Sequence, residues 1–185
     1  KRSMSRDVQK IFVSFTDVVI HECVQDLELE ELNRTIRPRA IALSTVNTVH
    51  RLSTSTLDLN ELLPRIASLT LKVMRVNRCS INIVDKARTQ LIPKTTIDLR
   101  KKKTELKKVE IGKFAPGRAV KKETPIRGAK YLAAPLIDEE VVGVITLYDK
   151  LDGKEFSQFD EEIMKTLPEQ AAIAIRNAQL YKEQA

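Results

Sequence analysis

The stretch YLAAPLIDEEVVGVITLYDK, residues 131–150, constrains the fold of this chain most. Two apolar runs, YLAAPLID and EVVGVITLYDK, flank a tight acidic turn, and the second is the most apolar segment of the sequence. Short apolar runs joined by a turn read as neighbouring antiparallel strands, and the second predicts a central strand. Two segments before it, CSINIVD (79–85) and QLIPKTT (90–96), alternate apolar and polar residues around a polar connection, the pattern of a hairpin with one face buried. KKVEIG (107–112) predicts a further strand, and PGRAVKKE (116–123), opening on Pro and Gly, predicts one or two turns of helix.

The sequence on either side of this β-rich middle follows a helical period. Val8, Ile11, Phe12, Phe15, Val18 and Val19 recur at steps of three and four, and the stripe continues toward Leu32. Pro38 breaks that helix or starts the next, in which Ile36, Ala40, Leu43, Val46, Val49 and Leu52 run to a polar turn at STST, 53–56. Asp58 followed by Glu61 reads as a capping box for a helix that buries Leu59, Leu62, Leu63, Ile66, Leu69 and Val73 and ends near Asn77. At the other end, Ser157 with Asp160 and Glu161 reads as an N-cap with acids in the first turn. The helix after it carries Ile163, Leu167, Ala171, Ala174, Ala178 and Tyr181 on one face, with a kink expected at Pro168. Helices, a sheet and a closing helix predict an α+β sandwich whose terminal helices cover one sheet face.

A chain of 185 residues with 42% hydrophobic residues fills one core plus a helical extension. It has no apolar run of the roughly 20 residues that cross a bilayer and no signal-peptide pattern, so a soluble piece is expected. It begins on Lys and stops in helical pattern at LYKEQA, and it reads as an excised fragment of a larger protein. Cys23 and Cys79 lie far apart in dissimilar contexts, which predicts free buried thiols and a cytoplasmic location. The net charge of +7 collects in RKKK (100–103), KK (107–108) and KK (121–122) without interleaved aromatics. Nucleic acid is therefore not the expected partner. A solvated loop accounts for these clusters, and the other use open to them is an anionic partner: a membrane surface, an acidic protein or phosphate.

The succession LDLNELLPRI, CSINIVD, GKFAPGRAVKKETPI, YLAAPLIDEEVVGVITLYDK and EFSQFDEEIMKTLPEQAAIAIRNAQLY resembles a GAF domain over about residues 53–183. The most specific parts are APLIDEEVVGVITLYDK and the terminal AAIAIRNAQLY. The resemblance implies six antiparallel strands, with first and last helices packed together behind them, often as a dimeric bundle. It divides the chain into a helical extension, 1–52, in which 36–54 resembles a signalling helix, and a sensor domain, 53–185. The part before that helix could belong to the linker from an upstream module.

Cyclic-nucleotide-binding members carry Asn-Lys, a spacer, Phe, three residues and Asp-Glu. Asp149, Lys150, Phe156, Asp160 and Glu161 occupy those places, with Asp for Asn the one departure. The family pairs the Lys with the Asp across the last strand–helix turn, and here Gly153 permits the turn while Phe156 can plug the core beneath. Left exposed, such a pair contributes about 0.2–1 kcal/mol. Asp149 in place of Asn is expected to set a second carboxylate near Lys150. In many members a long segment roofs the ligand pocket, whereas only KKETPIRGAK separates Val120 from Tyr131, which argues against cyclic-nucleotide binding. For any small-molecule ligand, the residues indicated are Ile83, Ala133, Leu136 and Thr146 on the sheet and Arg118 near the short helix. No cofactor is identifiable.

No catalytic set emerges from these residues. Asp160, Glu161 and Glu162 share one capped turn and lack the separate environments that acid–base pairs require, and DGKEFSQF lacks the alternate-position acids of a calcium loop. Cys79 and Cys23 cannot supply the cysteine relay of the family's methionine sulfoxide reductases, and nothing around Cys79 resembles a bilin attachment motif. His21, in VVIHECVQDL, lacks the residues that follow a kinase phospho-acceptor and reads as an ordinary helix-surface histidine, and His50 stands alone, with no further ligand to make a metal site. The expected role is a regulatory sensor module of a histidine kinase, nucleotide cyclase or transcriptional activator. It would be non-enzymatic itself, homodimeric through its terminal helices, and followed by an output domain in the same chain. The competing expectation is a ligand-free dimerisation module.

Overall fold

The computed structural model describes Gln25 and residues 58–101 and 106–184. The extension's helices, its Cys23, His21 and His50, and the signalling helix at 36–54 lie outside the described residues.

Helix α1 (Leu59–Met74) starts at Asp58, whose extended backbone lets its Oδ1 accept from the Asn60 N–H at 2.9 Å. Glu61 does not complete the expected box: its side chain turns along the helix to Arg65, 3.6 Å away. The helix stops at Arg75, in the left-handed region at φ 50°, two residues before the expected Asn77. Leu62, Leu63, Ile66, Ala67, Leu71 and Met74 face inward, and buried Thr70 donates its hydroxyl to the Ile66 carbonyl, so its polar atom costs the core little.

Strand β1 (Val76–Val84) follows directly, then β2 (Gln90–Asp98), β3 (Val109–Glu110), helix α2 (Phe114–Lys122), β4 (Ile126–Arg127), β5 (Tyr131–Ile137), β6 (Val141–Lys150) and helix α3 (Gln158–Gln184). The six strands form one sheet in the order β3-β2-β1-β6-β5-β4, antiparallel throughout. β6 lies between β1 and β5, the central position its apolar sequence predicts.

Alternation along the strands divides the core in two. Val76, Cys79 and Ile81 of β1 and Ile145 and Leu147 of β6 meet α1 and α3 on one face, with Phe156 among them. Leu91, Ala133 and Val144 meet Ala119 and Val120 of α2 on the other. Gly117 makes the second contact possible, since a Cβ there would lie 2.3 Å from the Glu110 carbonyl oxygen. The long helix α3 buries Ile163, Met164, Leu167, Ala171, Ala172, Ile175 and Ala178, but Tyr181, expected on this face, is exposed. Buried Pro168 lies within α3 and leaves the Met164 carbonyl without its helical donor. Among the described residues, no helix is long and apolar enough to cross a membrane.

Candidate functional site

Two neighbouring arrangements of polar side chains form the candidate site: a clasp where β6 hands over to α3, and a polar cavity on the α2 side of the sheet.

The clasp begins with the turn after β6, where Gly153 at φ +72° lets the chain reverse. Lys150 Nζ then reaches Asp160 Oδ2 at 2.9 Å, the two side chains 16% and 8% exposed. Asp160 Oδ2 also accepts from the Ser157 N–H at 2.8 Å and the Ser157 hydroxyl at 3.0 Å, while Ser157 Oγ lies 3.2 Å from the Asp160 N–H. The result is a reciprocal cap with a lysine added, and Phe156 fills the core beside it at 2% exposure. Because both partners are largely buried, the exposed-pair magnitude does not apply.

The carboxylate of Asp149 does not join Lys150. It pairs with Arg100 Nη1 at 2.9 Å, and Arg100 Nε also contacts Asp98 at 3.4 Å. Asp149 sits at φ +51°, a conformation that Asn and Asp tolerate better than most residues, and its carbonyl accepts from Asn77 Nδ2 at 3.0 Å. Glu161 pairs with Arg127 Nε at 3.1 Å, and Arg127 Nη1 donates to the Phe156 carbonyl at 3.0 Å. Arg127 and Arg100 thus complete the clasp from β4 and from the end of β2; neither is marked in the sequence, where opposite charge alone does not pick them from so many cations.

The cavity, of about 170 Å³, is lined by Arg78, Ser80 and Asn82 of β1, Pro93 and Thr96 of β2, and Thr146 and Tyr148 of β6, with Leu106, Lys107, Val109 and Pro116 at its edge. Its wall is polar where a core wall would be apolar. Ser80 Oγ lies 3.0 Å from Thr96 Oγ1 and 3.2 Å from Asn82 Oδ1. The Arg78 guanidinium stacks 3.8 Å from the Tyr148 ring centre. Burial raises the Tyr148 hydroxyl above its ordinary pKa, with Arg78 acting the other way. Arg78 Nε and Thr146 Oγ1 are buried without a hydrogen-bond partner. An unpaired buried polar atom costs about 1–3 kcal/mol, so two beside one cavity mark a place where a ligand's acceptor and donor would fit.

Of the sheet residues indicated for a ligand, Thr146 lines this cavity and Ala133 lies in the α2-side core. Ile83 and Leu136 are corrected to the opposite face, buried against α1 and α3. Parity is the cause: Leu136 stands three residues from Ala133 on one strand, so the two point opposite ways. Arg118 does not line the cavity; it is exposed on α2 and its Nε donates to the Phe114 carbonyl at 3.3 Å. Cys79 is fully buried, and burial pushes its thiol up to about 12, which leaves it unreactive at neutral pH.

At the far end of β6, Arg176 of α3 reaches the acidic β5–β6 turn, 3.6 Å from Asp138 and 3.3 Å from each of Glu139 and Glu140. Arg88 joins Glu140 at 2.8 Å.

A family model described as GAF domain matches residues 58–177. The GAF domain from Acinetobacter phosphoenolpyruvate-protein phosphotransferase superposes with a TM-score of 0.65 at 18% identity, covering 77% of this chain and 97% of that one. Free methionine-R-sulfoxide reductase from Neisseria meningitidis, in complex with its substrate, superposes with a TM-score of 0.65 at 11% identity, covering 77% and 92%. At such identities the likeness is one of fold. The cone cGMP-specific 3',5'-cyclic phosphodiesterase subunit alpha' of Gallus gallus is 38% identical over 52 residues, 27% of this chain and 6% of that protein's length.

Proposed function

The chain belongs to the GAF domain family, a regulatory sensor fold of signalling proteins, and we propose that it senses a small polar ligand in the Arg78–Thr146 cavity. Occupancy is relayed through the packing of α1 and α3 to an output domain in the same polypeptide, of the histidine kinase, cyclase or phosphodiesterase kind. The observation that carries this reading is the pair of unpartnered buried atoms, Arg78 Nε and Thr146 Oγ1, beside one cavity. A ligand that satisfies them favours one packing of the sheet, and the clasp couples β6 to α3. A cavity of about 170 Å³ suits a compact metabolite better than a nucleotide.

A thermal-shift screen of small polar metabolites against this chain tests the reading, because a ligand that binds only the folded state raises Tm. Hits are expected to lose their effect in Arg78→Met. Hits unaffected by that substitution would move the site elsewhere.

A ligand-free dimerisation module is the second reading, favoured by Ile173, Leu180 and Tyr181, which stand exposed along α3 at steps of seven and eight. A monomer by sedimentation that shifts with ligand separates the first from the second.

A further inference from the structure

The net charge of the chain is concentrated in one stretch. Residues 99–122 hold ten basic and two acidic residues, a net +8, against +7 for the whole chain, so the remainder carries −1. Arg100 is held in the clasp by Asp98 and Asp149, whereas the charges from Lys113 to Lys122 lie on or beside α2. Phe114, Arg118, Lys121 and Lys122 are exposed at helical steps of three and four, while Gly117, Ala119 and Val120 are buried against the sheet. Lys121 lies against Gly112, where an added Cβ would meet its Cδ at 3.1 Å, and exposed Lys113 follows in the chain. Leu106 edges the same cavity as Pro116 of α2, so the segment entering β3 stands on this side too.

Two apolar side chains stand out among these cations. Phe114 is 77% exposed and Leu106 58%. Phe114 also holds φ +52°, a region a bulky residue enters only under strain. A strained aromatic that stays mostly exposed gains little from packing within its own chain.

We propose that the basic α2 face docks on an anionic lipid bilayer, with Phe114 and Leu106 entering the interface and Lys113, Arg118, Lys121 and Lys122 meeting the headgroups. The negative potential of such a surface attracts clustered cations, and apolar side chains beside them add insertion that charge alone does not give. A single-stranded nucleic acid would call for several aromatics spaced along a groove, and this face has one aromatic on the outside of a helix.

Co-sedimentation of this chain with vesicles of equimolar phosphatidylcholine and phosphatidylserine, and with vesicles of phosphatidylcholine alone, tests the proposal. Binding is expected to the first only and to weaken with salt. Lys121→Gln with Lys122→Gln should lower the partition coefficient about 25-fold, at about fivefold per charge. Phe114→Gly should lower it several-fold while Tm holds or rises, since glycine accepts the positive φ without strain. Lys72→Gln, an exposed lysine on α1 across the sheet, should bind as the unaltered chain does. Equal binding to both vesicle types, an equal loss in Lys72→Gln, or no effect of Phe114→Gly would overturn the proposal. So would capture by duplex DNA or polyglutamate at a salt concentration where anionic vesicles fail.

Discussion

Lys150→Met removes the amine of the clasp and keeps an apolar stem of similar reach. The 2.9 Å contact joins side chains 16% and 8% exposed, so the pair lies nearer the interior than the surface. An exposed pair contributes about 0.2–1 kcal/mol, whereas breaking a fully buried one costs about 3–5 kcal/mol. Asp160 keeps its two Ser157 donors and the helix N-terminus after the substitution, and these hold part of its charge. The expected loss is therefore about 2 kcal/mol, between the two regimes. For a domain of this size that lowers Tm by about 8 °C. Asp160→Ala strips all three donors of their acceptor and should cost about 3–4 kcal/mol. Urea denaturation followed by far-ultraviolet circular dichroism measures both. The loss should persist at high salt, because a buried pair is poorly screened. A loss below about 0.5 kcal/mol, or one that vanishes in salt, would refute the reasoning from burial. Loss of cooperative folding in Lys150→Met would refute it from the other side.

Three further substitutions or conditions probe the surroundings. Asp149→Asn should change stability by less than about 0.5 kcal/mol in the same urea assay, because Asn suits φ +51° and the Arg100 pair is partly exposed. Asp149→Val should cost more than about 1 kcal/mol, because a β-branched residue resists that backbone. Thr146→Val replaces an unpartnered buried hydroxyl by a methyl and should be neutral or stabilising by about 1 kcal/mol, and a clear loss would reveal a partner for that oxygen. Cys79, whose folded thiol sits at about 12 against an ordinary 9.0, should resist alkylation in the native state. Its raised pKa contributes stability that is complete below the unfolded value and lost as pH rises from about 9 toward 12, at about 1.4 kcal/mol per pH unit. Cys79→Ala should therefore show a shallower alkaline decline than the unaltered chain.

The sheet was legible because strand alternation is local. The apolar run of β6 announced its central place, and the resemblance to cyclic-nucleotide-binding GAF domains implied the Lys150–Asp160 clasp. Partners chosen across the fold were not legible. Asp149 meets Arg100 and Glu161 meets Arg127 because of how β2 and β4 end, and nothing near either acid in sequence selects those cations. The misplacement of Ile83 and Leu136 was avoidable, since strand parity sets Ile83 on the face opposite Ser80 and Asn82 on β1 and Leu136 on the face opposite Ala133 on β5, whereas the cavity itself depends on which face α2 covers. Tyr181 fell on the predicted stripe but lies beyond Ala178, the last buried residue of α3 among the described side chains.

The salt bridges from Arg176 to the β5–β6 turn give α3 a second point of attachment. Asp160 holds the helix near its start and Arg176 holds it sixteen residues later, about 24 Å along its axis. Both anchorages lead to β6, one at each end of that strand. A rod pinned at two points cannot slide lengthwise without tearing one of them, although it can still roll or bow between them. Movement of α3 along its axis is thus opposed by one largely buried bolt and one solvent-facing bolt, and ionic strength loosens the second first.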